Sequence, residues 1–273
     1  MSSAGAWEKE EEREGESKKE RDLQWYVEVP VPSPKKDEVL LKVEALNPAE
    51  RHIQKGMLRP LLPRRFPFIP GGLAEFAVSS VRLTVKRPTE ISASHAAGLN
   101  IAGLTALQAL TEVAGVKLDG SGNTRNILIT AASGGVGHYA VQLAKLVMDY
   151  KTPEGAALRS PSGRKYDAVI HCASATPWSI FEPNLSEYGQ VIELSPNASA
   201  MWTSAVKRLT LSKKKLVPLL MKPKGENLEL LVRLVKEGKL KTVVDSTSTL
   251  SNAKEAWNKI MDGHATGKII VEP

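Results

Sequence analysis

A short apolar run, a glycine-rich turn and an amphipathic stretch follow one another without interruption near the middle of this 273-residue chain. The run is NILIT at 126–130, the turn is AASGGVG at 131–137, and the stretch at 139–148 carries apolar residues at helical spacing. A strand that leads through a tight turn into a helix is the repeating unit of parallel sheets, because parallel strands need long crossover connections. This arrangement predicts an α/β fold built on a parallel sheet.

Helices and strands are predicted to alternate through the rest of the chain after residue 92. Helices are predicted at 93–114, 227–237 and 252–262, and strands at 166–173, 189–194, 206–211, 240–245 and 268–272. The first 90 residues are rich in proline, with short strands predicted at 27–31, 38–45, 73–78 and 83–85. The chain therefore divides into a β-rich first part and an α/β second part, without an internal repeat.

Charge is distributed unevenly along the chain. Residues 1–22 hold eight acidic and five basic side chains, whereas the whole chain has a formal net charge of +7. A charged segment without an apolar face is predicted to be a disordered tail or a lone solvated helix. The basic remainder fits either an anionic ligand or surface or simply a well-solvated exterior. Its Lys and Arg residues are scattered and lack an aromatic reading motif, which argues against nucleic acid as a partner.

Several classes of site and segment are excluded by composition. Cys172 is the one cysteine, so an intrachain disulfide and a cysteine-based zinc site are both ruled out. The five histidines show no metal-ligand spacing, and we predict no metal site. No apolar run approaches the roughly 18 residues of a spanning helix. The acidic start lacks the features of a secretory signal or a transit peptide.

The turn at 131–137 can be compared with the dinucleotide-binding fingerprint. Its three glycine positions fall on Ala132, Gly134 and Gly137. Such a turn lets the backbone approach a pyrophosphate and begins a helix whose first N–H groups point at the anion. The alternative is a glycine turn in an α/β protein that binds no nucleotide.

The segment AASGGVGHYAVQLAK at 131–145 resembles the cofactor motif of the zinc-independent medium-chain dehydrogenases/reductases, and within them the quinone oxidoreductase group. Further segments are similar to the same group: LNPAERHIQKG at 46–56, AGLTALQAL at 102–110, EGKLKTVVDSTSTLSNAKEAW at 237–257 and GHATGKIIVEP at 263–273. The resemblance covers residues 27–70 and 71–273.

The resemblance implies an α/β protein with a reduced Rossmann-like parallel sheet and a reduced, β-rich GroES-like catalytic domain. The domain boundaries that it implies are a charged tail at 1–22, the catalytic domain at 23–95 and 240–273, and an NADPH-binding domain at 96–239. Both domains are expected to be incomplete.

The activity implied is an NADPH-dependent reduction of α,β-unsaturated carbonyls, such as lipid-derived enones and enals, or of quinones, by direct hydride transfer. Asn47 would lie by the nicotinamide as the catalytic-site residue. The residues that would contact the rest of the cofactor are Thr105, Ser133, Gly134, Gly135, Val136 and Gly137 at the ribose and pyrophosphate, and Tyr150 and His264 at the adenosine phosphate.

Two blocks that the family pattern requires are missing. Between Met148 and Tyr166 there is no room for a second strand, its helix and a third strand, a deficit of roughly two dozen residues against the family. A second block of barrel strands is missing between Pro70 and Gly71. The strand at 126–130 should therefore become a sheet edge. The alternative function is accordingly a shortened, non-catalytic member of the family that no longer binds the cofactor.

The resemblance also bears on partners and location. Members of the group occur at the plant chloroplast envelope, which implies a peripheral chloroplast protein, with the cytoplasm as the alternative. Lys213, Lys214 and Lys215 could contact an anionic membrane surface, although a solvated face explains them equally simply. Many members are homodimers, so a homodimer is one arrangement to expect. Met57 and Leu58 stand where many relatives carry a tyrosine, which leaves the proton donor to solvent or another group.

Overall fold

The computed structural model describes residues 4–6, 27–48, 74–122, 125–144, 160, 163–173 and 176–273. The chain divides into two compact units, one formed by Met1–Gly98 and Val244–Pro273 and the other by Leu99–Val243. These limits lie within a few residues of the domain boundaries expected from the sequence. The assignment of the second unit to NADPH binding stays a prediction.

The described residues contain the following regular elements. The strands are β1 (Ala4–Ala6), β2 (Val27–Val29), β3 (Glu38–Lys42), β4 (Phe76–Ser80), β5 (Ile127–Thr130), β6 (Tyr166–His171), β7 (Leu185–Glu193), β8 (Lys215–Pro218), β9 (Val244–Thr249) and β10 (Lys268–Glu272). The α-helices are α1 (Ala93–Gly98), α2 (Leu104–Gln108), α3 (Gly137–Ala144), α4 (Trp178–Phe181), α5 (Ala198–Leu209), α6 (Gly225–Lys236) and α7 (Ala253–Asp262).

The second unit is built on a four-stranded sheet of order β5-β6-β7-β8. All three neighbouring pairs are parallel, so the predicted α/β fold with a parallel sheet is confirmed. Within the described residues, β5 pairs on one side only, with β6. Among the strands that the structure describes, the strand at 126–130 is therefore at the edge of the sheet, in agreement with the prediction.

Both faces of this sheet are buried at β5, at β6 and in the second half of β7, which explains why the sequence there is mostly apolar. Since side chains alternate between faces along a strand, neighbouring residues enter different cores. One core joins the sheet to α2, α3 and α6 through Ile127, Ile129, Ala168, Ile170, Ile192, Leu107, Tyr139 and Leu231. The opposite core contains Leu128, Tyr166, Val169, Phe181, Leu185 and Val191.

The described residues of the first unit form three two-stranded sheets and a small core of their own. The pairs β1-β2 and β3-β4 are antiparallel, and β9-β10 is parallel. The core of this unit comprises Leu46, Leu250, Ala253, Ala256, Trp257, Ile269 and Val271. Leu46 pairs with Val271 in an isolated antiparallel bridge, which holds the segment before residue 48 on β10.

Two predicted strands are wrong. Residues 206–211 lie mostly in α5, because the side chain of Asn197 accepts a hydrogen bond from the Ala200 N–H at 2.8 Å and starts a helix there. The fourth strand of the sheet is β8 instead. Residues 83–85 are also not a strand: a 3₁₀ turn occupies Val81–Leu83, closed by the Thr84 hydroxyl, which donates to Ser80 O at 2.9 Å.

Two further elements differ in detail. The predicted helix at 93–114 is helical throughout but includes two π-helical stretches, Leu99–Gly103 and Ala109–Val113. The predicted strand at 240–245 starts only at Val244, because the side chain of Gln142 takes up the backbone N–H and carbonyl of Lys241. None of the helices described here is long and apolar enough to cross a bilayer.

Candidate functional site: the glycine turn and the carboxyl ends of the strands

The turn between β5 and α3 has the geometry expected of a dinucleotide cradle. It opens at Ala131, which has φ +48°, a left-handed conformation that is uncommon for a residue other than glycine. The Gly134 N–H donates to Ala131 O at 2.9 Å and closes the turn. The helix α3 then begins at Gly137.

The last glycine of the turn is required by close packing. A Cβ added to Gly137 would lie 2.8 Å from the Ala132 Cα and closer still to Ala131 O. A Cβ on Gly134 would lie 3.2 Å from the same carbonyl oxygen. The start of α3 therefore lies directly against the backbone of the turn, as a dinucleotide fold needs at its third glycine.

Several N–H groups of the turn are available to an anion. Among the backbone hydrogen bonds of the described residues, none uses the N–H of Ser133, Gly135 or Val136. These groups lie at the amino end of α3, where the helix dipole also favours negative charge. Ser133 is exposed, and the glycines beside it are partly exposed. The turn can therefore bind a phosphate group through its backbone.

His138 follows the turn and stabilises it. Its Nδ1 donates to Gly134 O at 3.0 Å, and its ring lies 3.9 Å from that of Tyr139, centroid to centroid. His138 is 7% exposed. His138 is therefore a residue that caps and packs the start of α3.

The helix α3 is fixed to a distant part of the chain. The hydroxyl groups of Tyr139 and Thr242 are hydrogen-bonded at 2.7 Å. The side chain of Gln142 donates to Lys241 O at 2.9 Å and accepts from the Lys241 N–H at 2.8 Å. Burial raises the pKa of Tyr139 well above its usual range, so this phenol stays protonated. These contacts make the helix, and with it the turn, a rigid platform.

A row of polar residues at the carboxyl ends of the strands was not predicted as a site. Thr130, His171 and Glu193 end β5, β6 and β7 and are register partners. Burial lowers the pKa of His171 to about 4 and raises the pKa of Glu193. A signal did exist in the sequence: each of three apolar runs ends in a polar residue, and ligands of parallel sheets bind at that edge.

Cys172, which follows this row, is a structural cysteine. Burial, with a smaller contribution from the charge of Glu193, raises the pKa of its thiol to about 12. A thiol with so high a pKa carries almost no thiolate at neutral pH and is a poor nucleophile.

Thr105 lies inside the helical segment that precedes β5. Its hydroxyl donates to Ile101 O at 2.7 Å, and the residue is 8% exposed. The hydroxyl proton is thus taken up within the helix, and only the oxygen lone pairs remain for another group.

The other predicted site residues lie outside this unit or outside the description. Asn47 belongs to the first unit, where its Nδ2 donates to Ile269 O at 2.6 Å. That contact fixes the amide and leaves its oxygen as the free acceptor. His264 is exposed, in the turn between α7 and β10. Tyr150 lies outside the described residues, as do Met57 and Leu58.

The three predicted membrane-contact lysines differ in their environments. Lys213 pairs with Glu187, and Lys214 Nζ donates to Glu182 O at 2.7 Å. Lys215 starts β8 and is exposed. Unusually exposed apolar side chains accompany them, namely Trp202 at 73%, Leu209 at 84% and Leu211 at 89%. This surface, Trp202 to Lys215, is therefore both apolar and basic.

A family model described as zinc-binding dehydrogenase matches residues 143–271. The chain is 57% identical over 307 residues to the chloroplast envelope quinone oxidoreductase homolog of Arabidopsis thaliana, covering 91% of this chain and 93% of that protein. It is 54% identical, with the same coverage, to the chloroplastic quinone-oxidoreductase homolog of Spinacia oleracea. Among solved structures, the quinone oxidoreductase from Coxiella burnetii matches with a TM-score of 0.72 at 24% identity, over 91% of this chain and 94% of that one.

The alignment with the Arabidopsis relative is longer than this chain. It spans 307 positions, whereas the chain has 273 residues in all and 91% of them are aligned. The relative therefore carries internal residues that have no counterpart here, which agrees with the prediction of missing blocks.

The residues present do not fit the zinc that appears in the description of the family model. The sequence has one cysteine, and the described residues contain no group of three or more His, Cys, Asp or Glu side chains able to hold a metal ion. Zinc centres in dehydrogenases rely on such groups. No catalytic role is derived for a metal.

Proposed function

The chain belongs to the quinone oxidoreductase group of the zinc-independent medium-chain dehydrogenases/reductases, together with the chloroplast quinone oxidoreductase homologues, and as an oxidoreductase of this family we propose that it uses NADPH to reduce quinones or α,β-unsaturated carbonyls. A nicotinamide cofactor is common to the family. The choice of NADPH over NADH and the identity of the acceptor belong to the proposal.

The observation that carries the proposal is the fit of the turn to a pyrophosphate. The N–H groups of Ser133, Gly135 and Val136 are free of backbone partners within the described chain, and Gly137 leaves the space that a side chain would fill. We propose that Ser133, Gly134, Gly135, Val136 and Gly137 bind the pyrophosphate through the backbone, with Thr105 at the ribose. Thr105 would act through its oxygen lone pairs, since its proton is already donated.

The roles of the remaining residues follow from the family resemblance and from their chemistry. Asn47 would contact the nicotinamide amide through its Oδ1, because its Nδ2 is held by Ile269 O. His264 is exposed, so its ring N–H could donate a hydrogen bond to a phosphate. Tyr150 would contact the same phosphate, the group that distinguishes NADPH from NADH.

The proposed acceptors share one chemistry. When bound, the cofactor would supply a hydride to the electron-poor β-carbon of the acceptor, and a proton would then be added at the α-carbon or at oxygen. A quinone is itself an α,β-unsaturated dicarbonyl compound, so an enone and a quinone present the same kind of hydride-accepting carbon. The relatives are named for quinones, and lipid-derived enones and enals are the proposed alternatives. Solvent is the proposed proton source.

The proposal is tested by two measurements on the purified full chain. The first is thermal unfolding with and without NADPH: a ligand that binds only the folded state adds about 2.7 kcal/mol at a hundredfold excess over its Kd. The second follows NADPH oxidation with a small enone and with a benzoquinone, each against an enzyme-free reaction. NADH in place of NADPH tests the cofactor preference.

The outcome decides between the two functions considered for the chain. An upward shift of the melting temperature with turnover above the enzyme-free rate supports the reductase. A melting temperature that NADPH leaves unchanged, with no turnover, favours a shortened variant that has lost cofactor binding. The edge position of β5 among the described strands and the missing internal residues are the observations that motivate this second function.

Location and assembly complete the proposal. The relatives are chloroplast proteins by name, and we assign this chain to the same compartment. The basic and apolar surface from Trp202 to Lys215 is proposed to contact an anionic membrane peripherally. A homodimer, as in many members of the family, is a further part of the proposal.

A further inference from the structure

Three residues that end neighbouring strands form one buried polar row. Thr130 is the register partner of His171, and His171 is the register partner of Glu193. Side chains of register partners project from the same face of a sheet. His171 is fully buried, and Glu193 is 7% exposed. Buried polar groups of this kind are rarely without a role.

The hydroxyl of Thr130 lies at the centre of the hydrogen bonds in this row. Its Oγ1 is hydrogen-bonded to His171 Nδ1 at 2.8 Å and accepts from the Cys172 N–H at 3.1 Å. At the far end of the row, Glu193 accepts from the Ser195 N–H at 3.1 Å. The last residue of β5 is thereby tied to the end of β6 by a side chain as well as by the sheet.

The imidazole of His171 is held from two sides. Its edge packs against the ring of Phe181, with centroids 4.9 Å apart and planes at 68°. Its Nε2 lies 3.9 Å from a Glu193 oxygen and has no hydrogen-bond partner among the residues described. The ring thus keeps Nδ1 on Thr130, although its other nitrogen stays unsatisfied at a cost in stability.

Thr130 directly precedes the residue on which the glycine turn is built. Ala131 is in the left-handed conformation at φ +48°, and its carbonyl accepts from the Gly134 N–H at 2.9 Å. The same carbonyl limits the space at Gly137. Ala131 O belongs to the peptide between Ala131 and Ala132, so a change in the backbone torsions of Ala131, which Thr130 anchors on its N-terminal side, would move the oxygen around which the turn is closed.

We propose that Thr130 and His171 are positioning residues for cofactor binding: their hydrogen bond holds the Ala131 carbonyl in the orientation that closes the glycine turn. The expected effect on NADPH binding rests on the proposed function. The expected effect on the geometry of the turn does not. A role confined to overall stability would alter the melting temperature and leave the geometry of the turn unchanged.

The central variant is Thr130→Val, which removes the hydroxyl and keeps the shape of the side chain. Thr130→Ser restores the hydroxyl. The matched control is Thr111→Val, since the Thr111 hydroxyl donates to Leu107 O at 2.8 Å within a helix, away from the turn. Amide hydrogen exchange at Gly134 and His138 is measured in the cofactor-free protein, and KM for NADPH and kcat are measured separately.

We expect Thr130→Val to speed exchange at these two amides about three- to tenfold, the effect of losing one hydrogen bond. KM for NADPH should rise by a similar factor while kcat at saturating NADPH stays near that of the parent protein. Thr130→Ser should reverse both effects, and Thr111→Val should produce neither. Unchanged exchange at Gly134 and His138 in a folded Thr130→Val protein would overturn the proposal, as would an unchanged KM.

A failure of the proposed function can be distinguished from a failure of this inference. If the parent protein binds no NADPH, the proposed function fails, and exchange at the two amides alone decides whether Thr130 holds the turn. If Thr130→Val does not fold, His171→Leu is measured in its place. This variant removes the hydrogen bond between His171 and Thr130 but keeps the one that Thr130 accepts from the Cys172 N–H. His171→Asn is the partner variant, since its amide can reach Thr130. Equal exchange at Gly134 in His171→Leu and His171→Asn would contradict the inference.

Discussion

At Gly137 a single hydrogen atom in place of a side chain allows the turn to close. A Cβ there would lie 2.8 Å from the Ala132 Cα, and backbone atoms cannot move aside as a flexible side chain can. Gly122 provides the contrast, because a Cβ at that position would meet only the side chain of Lys117, at 3.4 Å. The requirement for glycine therefore comes from the packing of α3 against the turn.

We expect Gly137→Ala to lower the free energy of unfolding by about 1–3 kcal/mol, the usual cost of overpacking. NADPH affinity should fall at least about tenfold, because the amides of the turn must shift. Chemical denaturation and a fluorescence titration with NADPH measure the two effects. Gly122→Ala is the matched control and should change the stability by less than about 0.5 kcal/mol. Equal effects of the two variants would refute the packing argument.

Asp245 shows how one carboxylate joins three segments of the first unit. It lies on β9, pairs with Lys259 of α7 at 2.5 Å and accepts from the Thr266 N–H at 2.9 Å. The hydrogen bond from Lys259 is the main cause that lowers the pKa of this carboxyl group below its ordinary value of 3.8. The carboxylate is therefore more stable in the folded than in the unfolded state.

The sign of the pH dependence follows from that lowered pKa. Above the unfolded pKa of about 3.8 the stabilisation is fully present, and it is lost as pH falls through the lower folded value. Asp245→Asn should thus reduce the free energy of unfolding by about 1–2 kcal/mol at pH 7, and by progressively less below pH 4. Denaturation at several pH values tests this. A deficit that stays constant down to pH 2 would show that the charge of Asp245 is not the cause.

Among the elements, α6 is held to the second unit by one completely buried residue. Leu231 has no exposed surface, and a Cβ on Gly103 would lie 3.0 Å from its Cδ1. Gly103 thus allows α6 to pack closely against the helical segment at 99–113. The apolar spacing of 227–237 predicted this helix from the sequence, but the partner of its apolar face was visible only in the structure.

Truncation of this contact should be costly. Leu231→Ala should lower the free energy of unfolding by about 2–5 kcal/mol, through lost burial and the cavity left behind. Leu220→Ala removes the same atoms at a position that is 68% exposed and should cost less than about 0.5 kcal/mol. Denaturant titration of both variants measures the difference. Similar losses in the two would mean that α6 is not anchored by this residue.

Strand order and element type were predictable because the apolar runs are long and regular. The edge position of β5 followed from the missing block between Met148 and Tyr166, and the parallel pairing from the alternation of helices and strands. The strand predicted at 206–211 was wrong because the helix cap at Asn197 outweighed the local pattern. Of the site, the glycine turn was evident from the sequence. The polar residues that end three apolar runs were also visible there, but the alignment of Thr130, His171 and Glu193 in one row depends on strand register and was seen only in the structure.

At the scale of the whole molecule, ion pairs within the protein reduce the charge that its basic surface presents. Two cations of the surface from Trp202 to Lys215 are paired within the protein: Lys207 with Glu182 at 2.7 Å, and Lys213 with Glu187. The field of this surface is therefore weaker than its count of lysines suggests. Its exposed apolar residues, led by Leu209 and Leu211, supply the second element of an interfacial contact.

Replacement of Lys213, Lys214 and Lys215 together by Gln should weaken binding to vesicles containing anionic lipid by about tenfold or more. Binding of the parent protein should fall as salt rises, because exposed charges are screened. The control replaces Lys35, Lys36 and Lys42, which are exposed in the first unit, and changes the net charge equally. Co-sedimentation measures binding. If both triple variants bind alike, net charge alone accounts for the contact and this surface has no special part in it.

The ties between α3 and residues 241–242 have a consequence for the order of folding. Tyr139 and Thr242 are 103 residues apart in the chain, and Gln142 and Lys241 are 99 apart. Contacts between such distant residues form slowly, because a long loop must close before they are gained. Contacts between neighbouring residues can form the glycine turn early in folding. The contacts that hold α3 in place form only when residues 241–242 dock on it. During refolding, the ability to bind NADPH should accordingly appear with the slow phase in which residues 241–242 dock on α3, and not before it.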